Sequence, residues 1–282
     1  PFGGVQLLMI GDLQQLTPVV KPQDEALLDN YYDTPYFFGS KALQQISYVT
    51  IQLTHVFRQQ DDTFISILNH IRDGHPTSDD IATLNTRYKP AFLPKAEDGY
   101  IRLTTHNRLA DNYNETALLK LKGQRFAFDA EVGGEFPENN YPVEAQLVLK
   151  VGAQVMFVKN DASGAHRYYN GRIGHVVSVD DESIEVKCPG DDSAIKVERD
   201  VWENTRYVIN DQTKTIDSEV LGTFKQYPLR LAWAITIHKS QGLTFDRAII
   251  DAAQSFAPGQ VYVALSRCKS LEGLVLASPI NP

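Results

Sequence analysis

The chain has 282 residues, enough for two domains or for one domain split by an insertion. With 43% hydrophobic and 22% charged residues it can bury a core, which excludes a disordered chain. A net charge of −8 excludes a uniformly basic nucleic-acid coat, yet the acid is concentrated: the sum is −3 over 1–53, 0 over 54–123, −7 over 124–227 and +2 over 228–282. The longest apolar runs, Val5–Ile10 and Leu231–Ile237, are far short of the ~20 residues that span a bilayer, so no membrane partner is expected. No basic segment precedes the first run to make a signal peptide. Cys188 and Cys268 can frame neither a disulfide scaffold nor a cysteine-based zinc site, so a reducing, soluble, cytoplasmic setting is expected.

In chain order, Val5–Ile10 reads as a strand buried on both faces and closed by Gly11 and Asp12. Residues 48–53 read as a second strand, with a short helix between them from Gly39 to Ile46. Phe64, Ile65, Ile67, Leu68 and Ile71 recur at helical spacing and stop at Gly74. Thr77 or Ser78 can cap the next helix, whose inner face carries Ile81 and Leu84. A strand at 100–104 runs into Thr105, His106 and Asn107, followed by a helix ending before Gly123. From about 124 to 227 short β-rich stretches alternate with turn clusters, which suggests a small antiparallel barrel. Strand–helix alternation then returns: strand 229–236, helix from about 240, strand 247–251, helix 258–268 opened by Pro258, and strand 273–277. Such alternation implies a parallel sheet, so the reading is an α/β domain interrupted by a β-barrel insertion.

Chemistry-bearing residues gather where strands end. Gly11, Asp12 and Gln15 follow the first strand, in the position where open α/β sheets bind ligands; they can sense a phosphate, or Asp12 can simply cap a turn. Arg58, after Val56 and Phe57, can stabilise phosphate oxygens or pair with Asp61 or Asp62 at the surface. Thr105, His106 and Asn107 combine hydroxyl, imidazole and free backbone N–H groups at a helix start, a phosphate seat or an ordinary N-cap. His238, Lys239, Ser240 and Gln241 end an apolar strand, with Gly242 allowing close backbone approach. Arg267 lies beside Tyr262 and Ser266 near a helix end, where the helix dipole alone would favour it. There is no G-x-x-x-x-G-K-[ST] loop, no strand ending in Asp-Glu for magnesium, no H-E-x-x-H among the seven histidines and no G-x-S-x-G elbow.

Taken together, GDLQQLTPV (11–19), VFRQ (56–59), ITIHKSQGLTFD (235–246) and YVALSRCKS (262–270) resemble, in order, the third to sixth motifs of superfamily 1 helicases, in the branch of the Pif-type and RecD-type DNA helicases. LKVGAQVMFVKND (149–161) and YNGRIGHVV (169–177) resemble the β-barrel insertion of Pif-type members. The resemblance implies two RecA-like domains with ATP and Mg2+ between them and single-stranded DNA across their top. It makes 1–53 the tail of the first motor domain, 54–123 with 228–282 the second, and 124–227 the inserted barrel. The phosphate-loop half lies upstream of the third motif in relatives, so the 282 residues alone are expected to lack ATPase activity.

The resemblance further implies that Gln15, Arg58 and Arg267 contact the γ-phosphate, with Gly11, Asp12 and Gly242 beside the nucleotide. Thr105, His106, Asn107, His238, Lys239 and Ser240 would then touch the DNA backbone, and Asn170 and Gly171 would shape the barrel's DNA-side loop. No metal ligand is expected among these residues. Translocation from 5′ to 3′ follows from the resemblance alone. A non-catalytic nucleic-acid-binding or partner-docking module is the alternative, against which Gln15, Arg58 and Arg267 count. A motor fused to a nuclease or relaxase, and an RNA helicase, also fit the residues.

Overall fold

Helix formation is clearest where periodicity and caps agree. In a computed structural model that describes residues 2–20, 22–95, 98–180, 183–209, 216–251 and 259–281, α1 spans Pro22–Leu28 and α2 spans Asp62–Arg72. The Asp61 carboxylate accepts from the Phe64 N–H at 3.1 Å and opens α2, while Gly74, with φ of 76°, follows its end. Helix α3 (Ser78–Asn85) starts with a capping box in which Thr77 and Asp80 satisfy each other's backbone N–H groups. His70 Nδ1 lies 2.8 Å from Asp80 Oδ2 and ties α2 to that cap. Strand β1 (Ile101–Thr104) leads into α4 (Asn107–Lys120). The side chain of His106 at the N-cap makes no capping bond, and Asn107 is the first helical residue rather than the cap.

The antiparallel region is built from β2 (Phe126–Asp129), β3 (Glu131–Gly134), β4 (Gln146–Leu149), β5 (Gln154–Phe157), β6 (Ile173–Val179), β7 (Ile184–Lys187), β8 (Ile195–Val197), β9 (Asp200–Ile209), β10 (Ile216–Gln226) and β11 (Leu229–Leu231). They form sheets ordered β11-β5-β6-β7-β8, β3-β10-β9 and β2-β4. The five-stranded and two-stranded sheets share one core, including Leu147, Leu149, Phe157, Val176, Val186 and Tyr227. The remaining elements are β12 (Ala234–Thr236), α5 (Ile237–Ser240), β13 (Ala248–Ile250), α6 (Gln260–Ser266) and β14 (Leu274–Leu276). Strands β12, β1, β13 and β14 pair in that order, all parallel, so residues on both sides of the antiparallel region share one sheet. Phe64, Leu84, Leu103, Ile250, Val263 and Leu276 bury its faces against α2, α3 and α6. No described helix is long and apolar enough to cross a membrane.

Four local expectations are corrected. The runs 5–10 and 48–53 are exposed and form no strand, because a strand needs a hydrogen-bonded neighbour and neither has one among the described residues. Between them stand two single 3-10 turns, Phe37–Gly39 and Leu43–Gln45, in place of a helix over 39–46. The expected strand 229–236 is two strands: β11 pairs antiparallel with β5, and β12 pairs parallel with β1. The helix expected from about 240 lies earlier, as the single turn α5, and ends at Gln241. Pro258, expected to open the next helix, lies outside the described residues; Gly259 is the N-cap of α6.

One loop of the antiparallel region carries a charge-dependent lock. The Asp161 carboxylate accepts from the Arg167 guanidinium (Nε at 2.9 Å), from the Arg167 backbone N–H (3.0 Å) and from the Ser163 N–H (3.0 Å). These bonds, led by the guanidinium, hold its pKa well below the ordinary carboxylate range. The neighbouring Tyr168 ring stacks on Phe157 at 4.1 Å. Because the folded value is depressed, the stabilisation is present above the unfolded value near ~3.9 and is lost as pH falls below it. Asp161→Asn is expected to cost about 2 kcal/mol at neutral pH in urea melts and to flatten the acid limb of stability against pH.

Candidate nucleotide and nucleic-acid site

Residues 12–16 are held against α6 by the shape of its first turn. Gly259 has φ of 78°, and a Cβ there would stand 2.3 Å from the Gln15 carbonyl oxygen, so the close approach requires glycine. Leu16 packs onto the core of the parallel sheet. Gln15 Nε2 donates to Asp12 Oδ2 at 3.2 Å, and Tyr262 Oη on α6 donates to the same oxygen at 3.5 Å. Arg72 Nε, at the end of α2, stands 3.5 Å from Asp12 Oδ1. Asp12 also accepts from the Gln14 N–H at 3.2 Å, so it caps its own turn as well.

Gln15, Arg58 and Arg267 line one cavity of ≈ 260 Å³, together with Tyr262, Ser266 and Asn69. Arg58 Nη1 donates to the Ser266 carbonyl at 3.1 Å and makes no ion pair with Asp61 or Asp62. Arg267 is 2% exposed; its Nε donates to the Val263 carbonyl (2.9 Å), Nη1 to the Leu243 carbonyl (3.2 Å) and Nη2 to Ser266 Oγ (2.9 Å). Burial, and then the charge of Arg58, lowers the Arg267 pKa to about 10; burial lowers that of Arg58 as well. Both guanidinium groups stay charged at neutral pH, and among the described residues neither has a carboxylate partner within 4.0 Å. Two desolvated cations facing one cavity make a seat for a multiply charged anion. Gly11 and Gly242 do not line this cavity; both are exposed, with open space where a Cβ would stand.

The second group lies at a sheet edge. Thr104 and Thr236 are register partners, so the turns after β1 and β12 leave the sheet side by side at its carboxyl end. Thr105 is buried with Oγ1 2.8 Å from His106 Nδ1, while His106 and Asn107 are exposed. Thr236 Oγ1 accepts from the Lys239 N–H at 3.3 Å and caps α5. Lys239 projects into solvent, and His238 is half-buried. Ser240 is fully buried, and its hydroxyl donates to the Ile237 carbonyl at 2.7 Å, so it is committed to the turn. Gly171, with φ of 95°, packs against Leu243, where a Cβ would stand 3.0 Å from a Leu243 methyl; Asn170 donates its N–H to Asn160 Oδ1 at 2.9 Å. A larger groove of ≈ 730 Å³ runs along α4 beside β4 and reaches Asn107, Thr236 and Lys239 at one end.

No family model matches the chain. The human ATP-dependent DNA helicase PIF1 is 38% identical to it over 289 residues, covering 97% of this chain and 41% of that protein. A crystal structure of Bacteroides sp Pif1 in complex with ADP-AlF4 superposes on all of this chain and on 64% of its own, at 40% identity and a TM-score of 0.88. Along 97% of its length the chain is similar to ATP-dependent DNA helicases of the Pif1 type. It spans about two fifths of the length of the human relative. A second Bacteroides Pif1 structure, bound to ssDNA, superposes at 41% identity with a TM-score of 0.70.

Against the Pif1-type motifs, two residues stand out that were not singled out from the sequence. Gln59 is 5% exposed and donates to the Ser266 carbonyl (3.1 Å) and the Cys268 carbonyl (2.9 Å), fastening VFRQ to the end of α6. Its place in the VFRQ string was the available signal, but an amide's polarity alone does not distinguish an interior clamp from a surface residue. Arg72 reaches Asp12 from α2, a contact between elements that no local pattern encodes.

Proposed function

We propose that this chain is the part of an ATP-dependent DNA helicase that senses the terminal phosphate and grips single-stranded DNA. The observation that carries the reading is the pair of desolvated, carboxylate-free arginines, Arg58 and Arg267, sharing a cavity with Gln15. An anion with charge spread over several oxygens matches that arrangement, and a transferring γ-phosphoryl group is such an anion. In this reading Arg58 and Arg267 stabilise the transition state, and Gln15 reports the phosphate, with Gly11, Asp12 and Gly242 beside the nucleotide. His106, Asn107, His238 and Lys239 hold the DNA backbone at the sheet edge, and Asn170 and Gly171 shape a neighbouring loop. Thr105 and Ser240, whose hydroxyls are engaged internally, support those turns from within.

Domain boundaries follow the same reading: 1–53 belongs to a first motor domain, 54–123 with 228–282 to a second, and 124–227 to an insertion. Two buried cysteines suit a reducing compartment such as the cytoplasm. The arginines and Gln15 fit the phosphates of ATP. Among the described residues no group of three His, Cys, Asp or Glu is placed to hold a metal ion, so no step on this chain is assigned to Mg2+. A pure docking module would have no use for two phosphate-directed arginines. The test is strand displacement by the longer polypeptide on duplexes with a 5′ or a 3′ single-stranded tail, expected only on the 5′ tail. The 282 residues alone, which hold no phosphate loop, are expected to hydrolyse ATP at background. Equal displacement from both tails would refute the polarity, and none from either would refute the helicase reading.

A further inference from the structure

The hydrogen bonds around Gln15 leave one contact that the phosphate reading does not use. Gln241 Nε2 donates to Gln15 Oε1 at 3.2 Å, while Gln15 Nε2 donates to Asp12 Oδ2 at 3.2 Å. A carboxamide has one end that accepts and one that donates, and the two differ by a flip that costs nothing unless neighbours choose between them. Here Asp12, a carboxylate that only accepts, faces the nitrogen and selects the orientation, and the Gln241 amide supplies the donor that the Gln15 oxygen then needs. The second N–H of Gln15 Nε2 is thereby left for another acceptor. Phosphate oxygens only accept, so the flipped carboxamide would meet them with its own oxygen and repel them.

Gln241 is also the C-cap of α5, the turn formed by His238, Lys239 and Ser240. Its backbone N–H donates to the His238 carbonyl at 3.2 Å, so the residue whose side chain reaches Gln15 is itself bonded into the turn. We propose that Gln241 is a positioning residue that orients the Gln15 carboxamide toward a phosphate and ties that orientation to nucleic acid bound at the 238–240 turn. The inference rests on the proposed function, since it needs a phosphate beside Gln15 and DNA beside Lys239. Its own content is the direction of one hydrogen bond, from Gln241 to Gln15. Neither residue touches the other's ligand in this reading, and the coupling free energy is bounded by that bond.

The test compares Gln241→Ala with Gln241→Glu in the full-length polypeptide, measuring ATP hydrolysis with and without an oligo(dT) strand and the affinity for that strand. Gln241→Ala removes the donor and is expected to lower the DNA-stimulated to DNA-free rate ratio about two- to tenfold, the range of one hydrogen bond. Gln241→Glu is nearly isosteric but only accepts, so it turns Gln15 toward the wrong orientation and is expected to lower the ratio further. Oligo(dT) affinity without nucleotide should stay within about twofold in both, since the loss lies in orientation rather than in DNA contact. Gln241 is exposed, so neither variant threatens the core. A ratio like that of the parent in both variants, equal losses in both, or a parallel loss of DNA affinity would each overturn the inference. Arg58→Ala and Lys239→Ala, run alongside, separate the two failures. If they leave hydrolysis and DNA binding intact, the functional reading is wrong; if they act as expected and the Gln241 variants do not, this inference alone is wrong.

Discussion

Arg58→Ala is expected to lower the ATPase kcat of the longer polypeptide by about 10³-fold, at the lower end of what arginines aimed at a transferring phosphoryl group contribute. The argument is one of reach and protonation. Arg58 is half-buried at the cavity wall, makes a single hydrogen bond to the Ser266 carbonyl, and keeps several guanidinium N–H groups for a ligand. Its charge is already partly desolvated, so an arriving phosphate has less of a water shell to displace, and the gain grows as charge spreads in the transition state. Arg267→Ala should lower kcat as far, with a second consequence that Arg58→Ala lacks. Three acceptors, the Val263 and Leu243 carbonyls and Ser266 Oγ, lose a buried donor, and the 282-residue chain should melt with about 2–4 kcal/mol less stability. Steady-state hydrolysis and urea melts of the two variants check both statements. A kcat for Arg58→Ala within tenfold of the parent would mean that the cavity is not where ATP is cleaved.

What the sequence made legible follows from the range of the forces involved. Helices α2 and α3 were readable because apolar spacing, Asp61, Thr77 and Gly74 all act within a few residues of one another. The runs at 5–10 and 48–53 carry as strong an apolar signal, but pairing is a property of neighbours rather than of the run itself. The stretch 229–236 shows the same limit in another form. The Ala232 N–H donates to the Gln154 carbonyl in the antiparallel sheet at 3.0 Å, while the Trp233 carbonyl accepts from the Arg102 N–H in the parallel sheet at 2.8 Å. The chain therefore changes sheets between two adjacent residues within one unbroken apolar run. Strand β10 had no distinct signal, because its exposed half, 216–220, sets Asp217, Ser218 and Glu219 between Ile216 and Val220. In the site, residue types and order were legible, but direction was not. Four consecutive polar residues after β12 do not reveal that Ser240 turns inward while Lys239 turns outward.

That difference in direction sets the remaining expectation: Lys239→Ala should weaken single-stranded DNA binding, and Ser240→Ala should not. Lys239 is exposed at the carboxyl edge of the parallel sheet, next to His106 and Asn107 across the Thr104–Thr236 register, and has no ion pair among the described residues. An unpaired ammonium there is available to a phosphate, and each phosphate it neutralises releases condensed counterions. Removing it should therefore reduce the slope of log affinity against log salt by about 0.7, the single-strand value for one contact. Ser240 Oγ is buried and bonded to the Ile237 carbonyl, so its loss should appear as about 1 kcal/mol of stability with the salt slope unchanged. Fluorescence anisotropy of a labelled oligo(dT) over a salt series, with a urea melt of each variant, reads both quantities on the 282-residue chain. If Ser240→Ala changes the slope and Lys239→Ala does not, the strand runs beneath the turn rather than over it, and the nucleic-acid face has been assigned to the wrong side of α5.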